Sequence, residues 1–155
     1  MRIRLIAVGE KLAQWVTSGY HEYARRIRGD CRLELLEIAP ANRKRLPPQK
    51  AVEDEGARIL KHISHDHHVV ALDVKGQAWS TEQLSQQLDH WLHLGTSVNL
   101  VIGGPEGLSP QVLSRANQCW SLGPLTFPHP LVRVIVAEAL YRAWSLHHGH
   151  PYHRA

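Results

Sequence analysis

Short apolar runs of strand length alternate with amphipathic stripes at helical spacing along nearly the whole chain, and few architectures bury both. Residues 3–8 form an apolar run closed by Gly9, which reads as a first strand. Leu12, Trp15, Val16, Gly19, Tyr20, Tyr23 and Ile27 then recur at helical spacing, which predicts a helix with one buried face. Arg25, Arg26 and Arg28 crowd its end, where they complement the helix dipole. A second strand is expected over 33–38, a helix marked by Val52, Ile59, Leu60 and Ile63, and a third strand over 68–73. Ser80 with Gln83 reads as a capping box opening a helix striped by Leu84, Leu88, Trp91 and Leu92 that ends near Gly95. Residues 97–102 give a fourth strand. This order predicts an α/β fold, a mostly parallel sheet with helices on both faces.

The length of 155 residues fits a single domain, 1–155, with a real core. Lys and Arg exceed Asp and Glu by 18 to 14, so an acidic partner is favoured, nucleic acid being the commonest. Cys31 and Cys119 are too few for a disulfide framework and match no metal spacing, so a reducing cytoplasm is the simplest reading. The basic start is followed by too short an apolar run for an export signal, and no stretch approaches the roughly 20 apolar residues that span a bilayer. Histidines cluster at His147, His148, His150 and His153 and again at His65, His67 and His68, but no Cys lies near the tail, and a functional metal is not expected.

Neither GxGxxG nor GxxxxGK[ST] occurs, which removes the usual dinucleotide and Walker-type readings. Glycines instead follow the fourth strand as Gly103-Gly104-Pro105-Glu106-Gly107, with Ser109 and Pro110 as N-cap and first residue of a helix. A turn of this kind is a ligand loop or a structural turn. A second loop, Gly123-Pro124-Leu125-Thr126-Phe127-Pro128-His129-Pro130, follows a short apolar segment ending at Leu122. Its three prolines fix the backbone, giving either a stiff connector or a rigid cradle for a flat heterocycle. Residues 40–48, with Arg43, Lys44 and Arg45, read as a mobile basic loop, solvated or touching RNA. The helix expected over 131–146 is apolar around most of its circumference, which predicts a second subunit against it. Arg133 and Arg142 on it call for anionic partners: Glu138 is one candidate, RNA phosphate the other, preferred for Arg142.

Ile102-Gly103-Gly104-Pro105-Glu106-Gly107-Leu108, Thr126-Phe127-Pro128-His129-Pro130-Leu131-Val132-Arg133, Glu138 with Tyr141-Arg142-Ala143-Trp144, and the ending Pro151-Tyr152-His153-Arg154 closely resemble the RlmH family of SPOUT methyltransferases. Ala7-Val8-Gly9, Glu22-Tyr23, Glu55-Gly56 and Leu72-Asp73 with Gly76 extend the resemblance over the whole chain. It implies a SPOUT-type α/β knot with a C-terminal trefoil, and a homodimer. It also implies methyl transfer from S-adenosylmethionine to N3 of a pseudouridine, position 1915 in the helix 69 loop of 23S rRNA, in the assembled ribosome. Carried over by position, the cofactor contacts fall at Leu72, Gly103, Leu122, Gly123, Pro124, Leu125, Thr126 and Phe127, although Pro124 offers no N–H. No metal is required for an in-line methyl displacement. His129 is the candidate base for the imide proton, with Arg142, Tyr152, His153 and Arg154 as further catalytic candidates. The tail residues are expected to complete the active site of the partner subunit. The competing reading is a noncatalytic RNA- or ribosome-binding module with a vestigial pocket.

Overall fold

The computed structural model describes residues 1–153. Strands β1 (Arg2–Val8), β2 (Arg32–Ile38), β3 (His68–Ala78), β4 (Val98–Ile102) and β5 (Gln118–Ser121) form one sheet in the order β2-β1-β4-β3-β5. Every neighbouring pair is parallel. The helices are α1 (Gln14–Ala24), α2 (Pro48–Leu60), α3 (Thr81–Leu92), α4 (Pro110–Arg115) and α5 (His129–His147), followed by a 3-10 turn, Pro151–His153. The fifth strand is the short apolar segment before Leu122.

Alternate side chains of β1 feed two different cores, as a strand covered on both faces requires. Ile3, Leu5 and Ala7 join Tyr20 of α1, Leu88 and Trp91 of α3 and Leu140 of α5. Ile6 and Val8 join Ile59 of α2 and Val112 of α4 on the opposite face. Helix α5 packs against both α1 and α3, which accounts for much of its apolar circumference, while Leu131, Val134, Ile135 and Tyr141 stay only half-buried.

The capping box at α3 is present in both directions, with Gln83 N–H on Ser80 Oγ at 3.1 Å and Ser80 N–H on Gln83 Oε1 at 2.9 Å. Several boundaries differ from the apolar pattern. Helix α1 opens at Gln14 and leaves Trp15 60% exposed, so Leu12 and Trp15 are not part of its buried stripe. Helix α2 buries Glu55 and Gly56 along with Ala51 and Ile59 while Val52 is half-buried, because a salt bridge and a close helix contact share its inner face with apolar area. Helix α5 starts two residues before Leu131: the fixed φ of Pro130 suits a first turn, and a proline there lacks only an N–H that would have no helical partner.

Three of the clustered histidines have ordinary partners. His148 and His150 lie against the Trp144 ring at centroid distances of 4.5 and 5.2 Å, and His68 Nε2 meets Gln118 Oε1 at 2.7 Å. Among the described residues no three His, Cys, Asp or Glu side chains are placed to hold a metal, and no helix is long and apolar enough to cross a membrane.

Candidate active site

A cleft of about 510 Å³ lies beyond the carboxyl ends of β3, β4 and β5, where open parallel sheets bind ligands. Three loops and the start of α5 build it. The first comes from a break in register: Leu72 and Gln77 of β3 both pair with Trp120 of β5, so residues 73–76 are extra and Asp73, Val74 and Lys75 stand into the cleft. Gly76 closes the bulge, since a Cβ there would sit 2.6 Å from the Cys119 carbonyl carbon.

The second loop is the glycine turn. Gly107 N–H donates to the Gly104 carbonyl at 3.0 Å, and a Cβ at Gly103 would lie 2.4 Å from the Gly107 carbonyl carbon. Gly103 is therefore required by the turn's own closure, before any ligand approaches. The third loop runs from Leu122 to His129. Gly123, at φ +115°, donates its N–H to Ser121 Oγ at 3.1 Å, so the first donor of the loop is already taken. Leu125, Thr126 and Phe127 line the cleft, and their N–H groups make no backbone hydrogen bond among the described residues.

His129, the first residue of α5, forms one wall with Val132. Its Nδ1 is buried and has no hydrogen-bond partner among the described residues. Burial, then the nearby Arg133 guanidinium, hold the imidazole below its ordinary pKa, so it is neutral at physiological pH and able to accept a proton. Arg133 lies one turn along the helix, 2% exposed, with Nη1 on Glu37 Oε2 at 2.6 Å and Nη2 on the Gly9 carbonyl at 3.4 Å. Its anionic partner is thus Glu37 of β2 rather than Glu138, because α5 descends between α1 and α3 with Arg133 turned toward the sheet.

Of the residues singled out in the sequence, Leu72, Gly103, Leu122, Gly123, Leu125, Thr126, Phe127 and His129 line this one cleft. Pro124 is exposed and does not line it. Arg142 and Tyr152 lie elsewhere. Arg142 pairs with Glu138 at 2.7 Å, and Tyr152 packs its ring 4.5 Å from that of Tyr141 while its hydroxyl donates to Glu138 at 3.2 Å. Burial and the Glu138 carboxylate push the Tyr152 hydroxyl up to about 12. Arg154 and the side chain of His153 fall outside the described residues. The sequence reading did not place Asp73, Val74 and Lys75 at the site: it ended the third strand at residue 73, whereas β3 runs on to Ala78 with Gly76 inside it. It also missed the fixing of Arg43, read there as part of a mobile loop.

Residues 1–153 match the family model described as "Predicted SPOUT methyltransferase". The chain belongs to the SPOUT methyltransferase family. It is 56% identical over 156 residues to the ribosomal RNA large subunit methyltransferase H of Alkalilimnicola ehrlichii, covering 100% of both chains. Proteins of the same name from Hahella chejuensis and Thioalkalivibrio sulfidiphilus are 54% and 55% identical, each over 99% of this chain and of the relative. Among solved structures, a probable methylase family protein from Haemophilus influenzae Rd KW20 superposes with a TM-score of 0.59 at 13% identity. That superposition covers 99% of this chain and 70% of that one, and it shows the shared fold.

Proposed function

We propose that this SPOUT methyltransferase, a single domain over 1–155, methylates N3 of a pseudouridine in the helix 69 loop of 23S rRNA. It acts on the assembled ribosome as a cytoplasmic homodimer, with S-adenosylmethionine as donor. The observation that carries the reading is the convergence of three loops from separate strands on one cleft that also holds a neutral, unpartnered imidazole. The lining suits the donor: Leu72, Ile102, Trp120 and Leu122 offer apolar surface for a flat heterocycle, and the N–H groups of Leu125, Thr126 and Phe127 offer donors on a proline-stiffened path. Pro124 contributes only stiffness.

When bound, S-adenosylmethionine supplies an electrophilic methyl group. The chain's own residues position the acceptor and remove its proton. His129 would take the N3 proton, leaving the imide nitrogen a full electron pair for the methyl group, which the donor would supply as it leaves as a neutral thioether. Arg133 disfavours protonated His129 in the resting enzyme. The half-buried apolar residues of α5 are the dimer face, and Tyr152, in the turn that follows, packs against that helix beside Tyr141 and Glu138, from where the tail serves the neighbouring cleft. The knotted crossing belongs to the same reading. To reach α5, packed between α1 and α3, the chain leaving edge strand β5 passes the carboxyl ends of β3 and β4 beside their loops.

Calorimetric titration with S-adenosylmethionine in chelator, followed by methyl incorporation into ribosomes, tests the proposal. Binding and incorporation at N3 are expected. Ribosome binding without cofactor uptake would instead make the chain a noncatalytic module.

A further inference from the structure

The glycine turn that lines the cleft is held from behind by Arg43 and Glu55, which do not line the cleft, through Glu106 of the turn, which does. Glu55, on α2, is 2% exposed, a setting that a carboxylate tolerates only with charged and hydrogen-bonded partners. It has both. Its Oε2 accepts from Ala41 N–H at 2.9 Å and from Arg43 Nη1 at 2.6 Å, and its Oε1 accepts from Arg43 Nη2 at 3.0 Å. The fork leaves one side of the guanidinium free, and Arg43 Nε uses it to reach Glu106 of the turn at 2.9 Å. Nη1 also donates to the Ala41 carbonyl at 3.3 Å, so every nitrogen of Arg43 is engaged and the start of the 40–48 segment is pinned to α2.

The turn rests directly on this network. A Cβ at Gly104 would meet Glu55 Oε1 at 3.2 Å and Arg43 Nη2 at 3.3 Å. The next residue of α2, Gly56, reaches the other end of the same segment, where its absent Cβ would fall 2.2 Å from Ser109 Oγ. Consecutive residues of one helix therefore grip both ends of 104–109, one through Arg43 and one by close approach.

We propose that Arg43 is a positioning residue for the methyl donor: forked on buried Glu55 and tied to Glu106, it fixes the 103–107 turn in the shape that receives S-adenosylmethionine. The proposal rests on the methyltransferase reading above. It also sets Arg43 apart from the neighbouring Lys44 and Arg45, since its charge is already spent inside the protein.

Two variants test it in the full-length protein. Arg43→Lys keeps the charge and loses the planar fork, whereas Glu106→Gln leaves an acceptor for Arg43 Nε and removes the charge that strengthens the tie to the turn. Without ligand, amide exchange over 103–108 should quicken in both. Calorimetry with S-adenosylmethionine should show affinity lowered about tenfold in the first and about threefold in the second, the scale of one or two lost charged hydrogen bonds. The rise should appear in the cofactor KM and not in the ribosome KM. A raised ribosome KM with unchanged cofactor affinity would overturn the proposal and make Arg43 an RNA contact. A lower melting temperature with unchanged cofactor affinity and exchange would overturn it as well. If the unmutated protein takes up no S-adenosylmethionine, the methyltransferase reading fails. The clamp then stands or falls on the exchange measurement, where faster exchange supports it and unchanged exchange overturns it.

Discussion

Arg133 on α5 and Glu37 on β2, 96 positions apart in sequence, meet at 2.6 Å, and the guanidinium is 3% exposed while the carboxylate is 38% exposed. The pair ties the first turn of α5, and so His129, to the sheet edge. Glu37→Gln leaves a buried cation with a weaker acceptor, and because the carboxylate is partly solvated the loss is about 1–3 kcal/mol. Urea unfolding measures it. A change below about 0.5 kcal/mol, the scale of ordinary surface substitutions, would mean that the pair anchors nothing.

The depressed pKa of His129 predicts a pH dependence with a definite sign. As pH falls through the ordinary imidazole range near 6.5, the unfolded chain takes up protons that the folded chain refuses. Stability therefore rises with pH through that window and drops on acidification. His67, whose pKa is also lowered by burial, contributes in the same direction. His129→Asn should remove part of the slope in urea midpoints measured between about pH 5 and 8. In the native enzyme the acid limb of methylation should lie below pH 6.5. An acid limb above that value would exclude neutral His129 as the base.

Much of the fold was legible because strand-length apolar runs and 3.6-residue stripes are local signals. From the residues alone the site was legible only where it carried glycine or proline, and Leu72 entered through the family resemblance. Gly103 and the 122–128 loop announced themselves through backbone chemistry. The bulge of Asp73, Val74 and Lys75 did not, because register is a relation between two strands and β5 has only four residues to record it. Glu37 and Glu55 were unreadable for the same reason, each having a partner chosen by topology. Val52 illustrates the opposite error: it fits the helical stripe yet stays half-buried, while Glu55 and Gly56 share the inner face of α2 with Ala51 and Ile59.

Gly103→Ala probes the turn itself. The added Cβ would sit 2.4 Å from the Gly107 carbonyl carbon, and a backbone atom cannot swing aside as a flexible side chain does. The turn must open, at a cost of about 1–3 kcal/mol. S-adenosylmethionine affinity should fall at least about tenfold, equivalent to 1.4 kcal/mol of binding free energy. A folded Gly103→Ala protein with unchanged affinity would move the donor site away from this cleft.

Gly56→Ala should be costly for a reason that can be relieved. Its Cβ would lie 2.2 Å from Ser109 Oγ and 2.9 Å from Ser109 Cβ, pushing α2 off α4 and breaking the N-cap that Ser109 gives Val112 N–H. A loss of about 1–3 kcal/mol is expected. Ser109→Gly alone should cost only a few tenths, since glycine serves adequately at an N-cap, about 0.3 kcal/mol. Combined, the two changes should cost less than their sum by about 1 kcal/mol or more. Simple additivity in thermal unfolding would show that the two residues do not compete for the same space.

The tail carries the last prediction. Tyr152, in the turn after α5, packs back against that helix, its hydroxyl on Glu138 and its ring 5.1 Å beneath the Arg142 guanidinium, and it takes no part in lining its own cleft. Glu138 is nine residues along the helix from His129, about 14 Å at 1.5 Å per residue, too far for Tyr152 to reach a base held at His129 in the same subunit. If α5 is the dimer face, the same position stands beside the partner's cleft. Deleting residues 151–155 should then leave S-adenosylmethionine affinity within about twofold and lower ribosome methylation by about 100-fold or more, the scale of lost substrate positioning. Heterodimers assembled from a tail-deleted chain and a Gly103→Val chain should regain one working site, built from the intact cleft of the first and the intact tail of the second. Full activity in the deletion would remove the tail from catalysis. Verified heterodimers without activity would place the tail in the service of its own subunit, by a movement away from Glu138 and Tyr141.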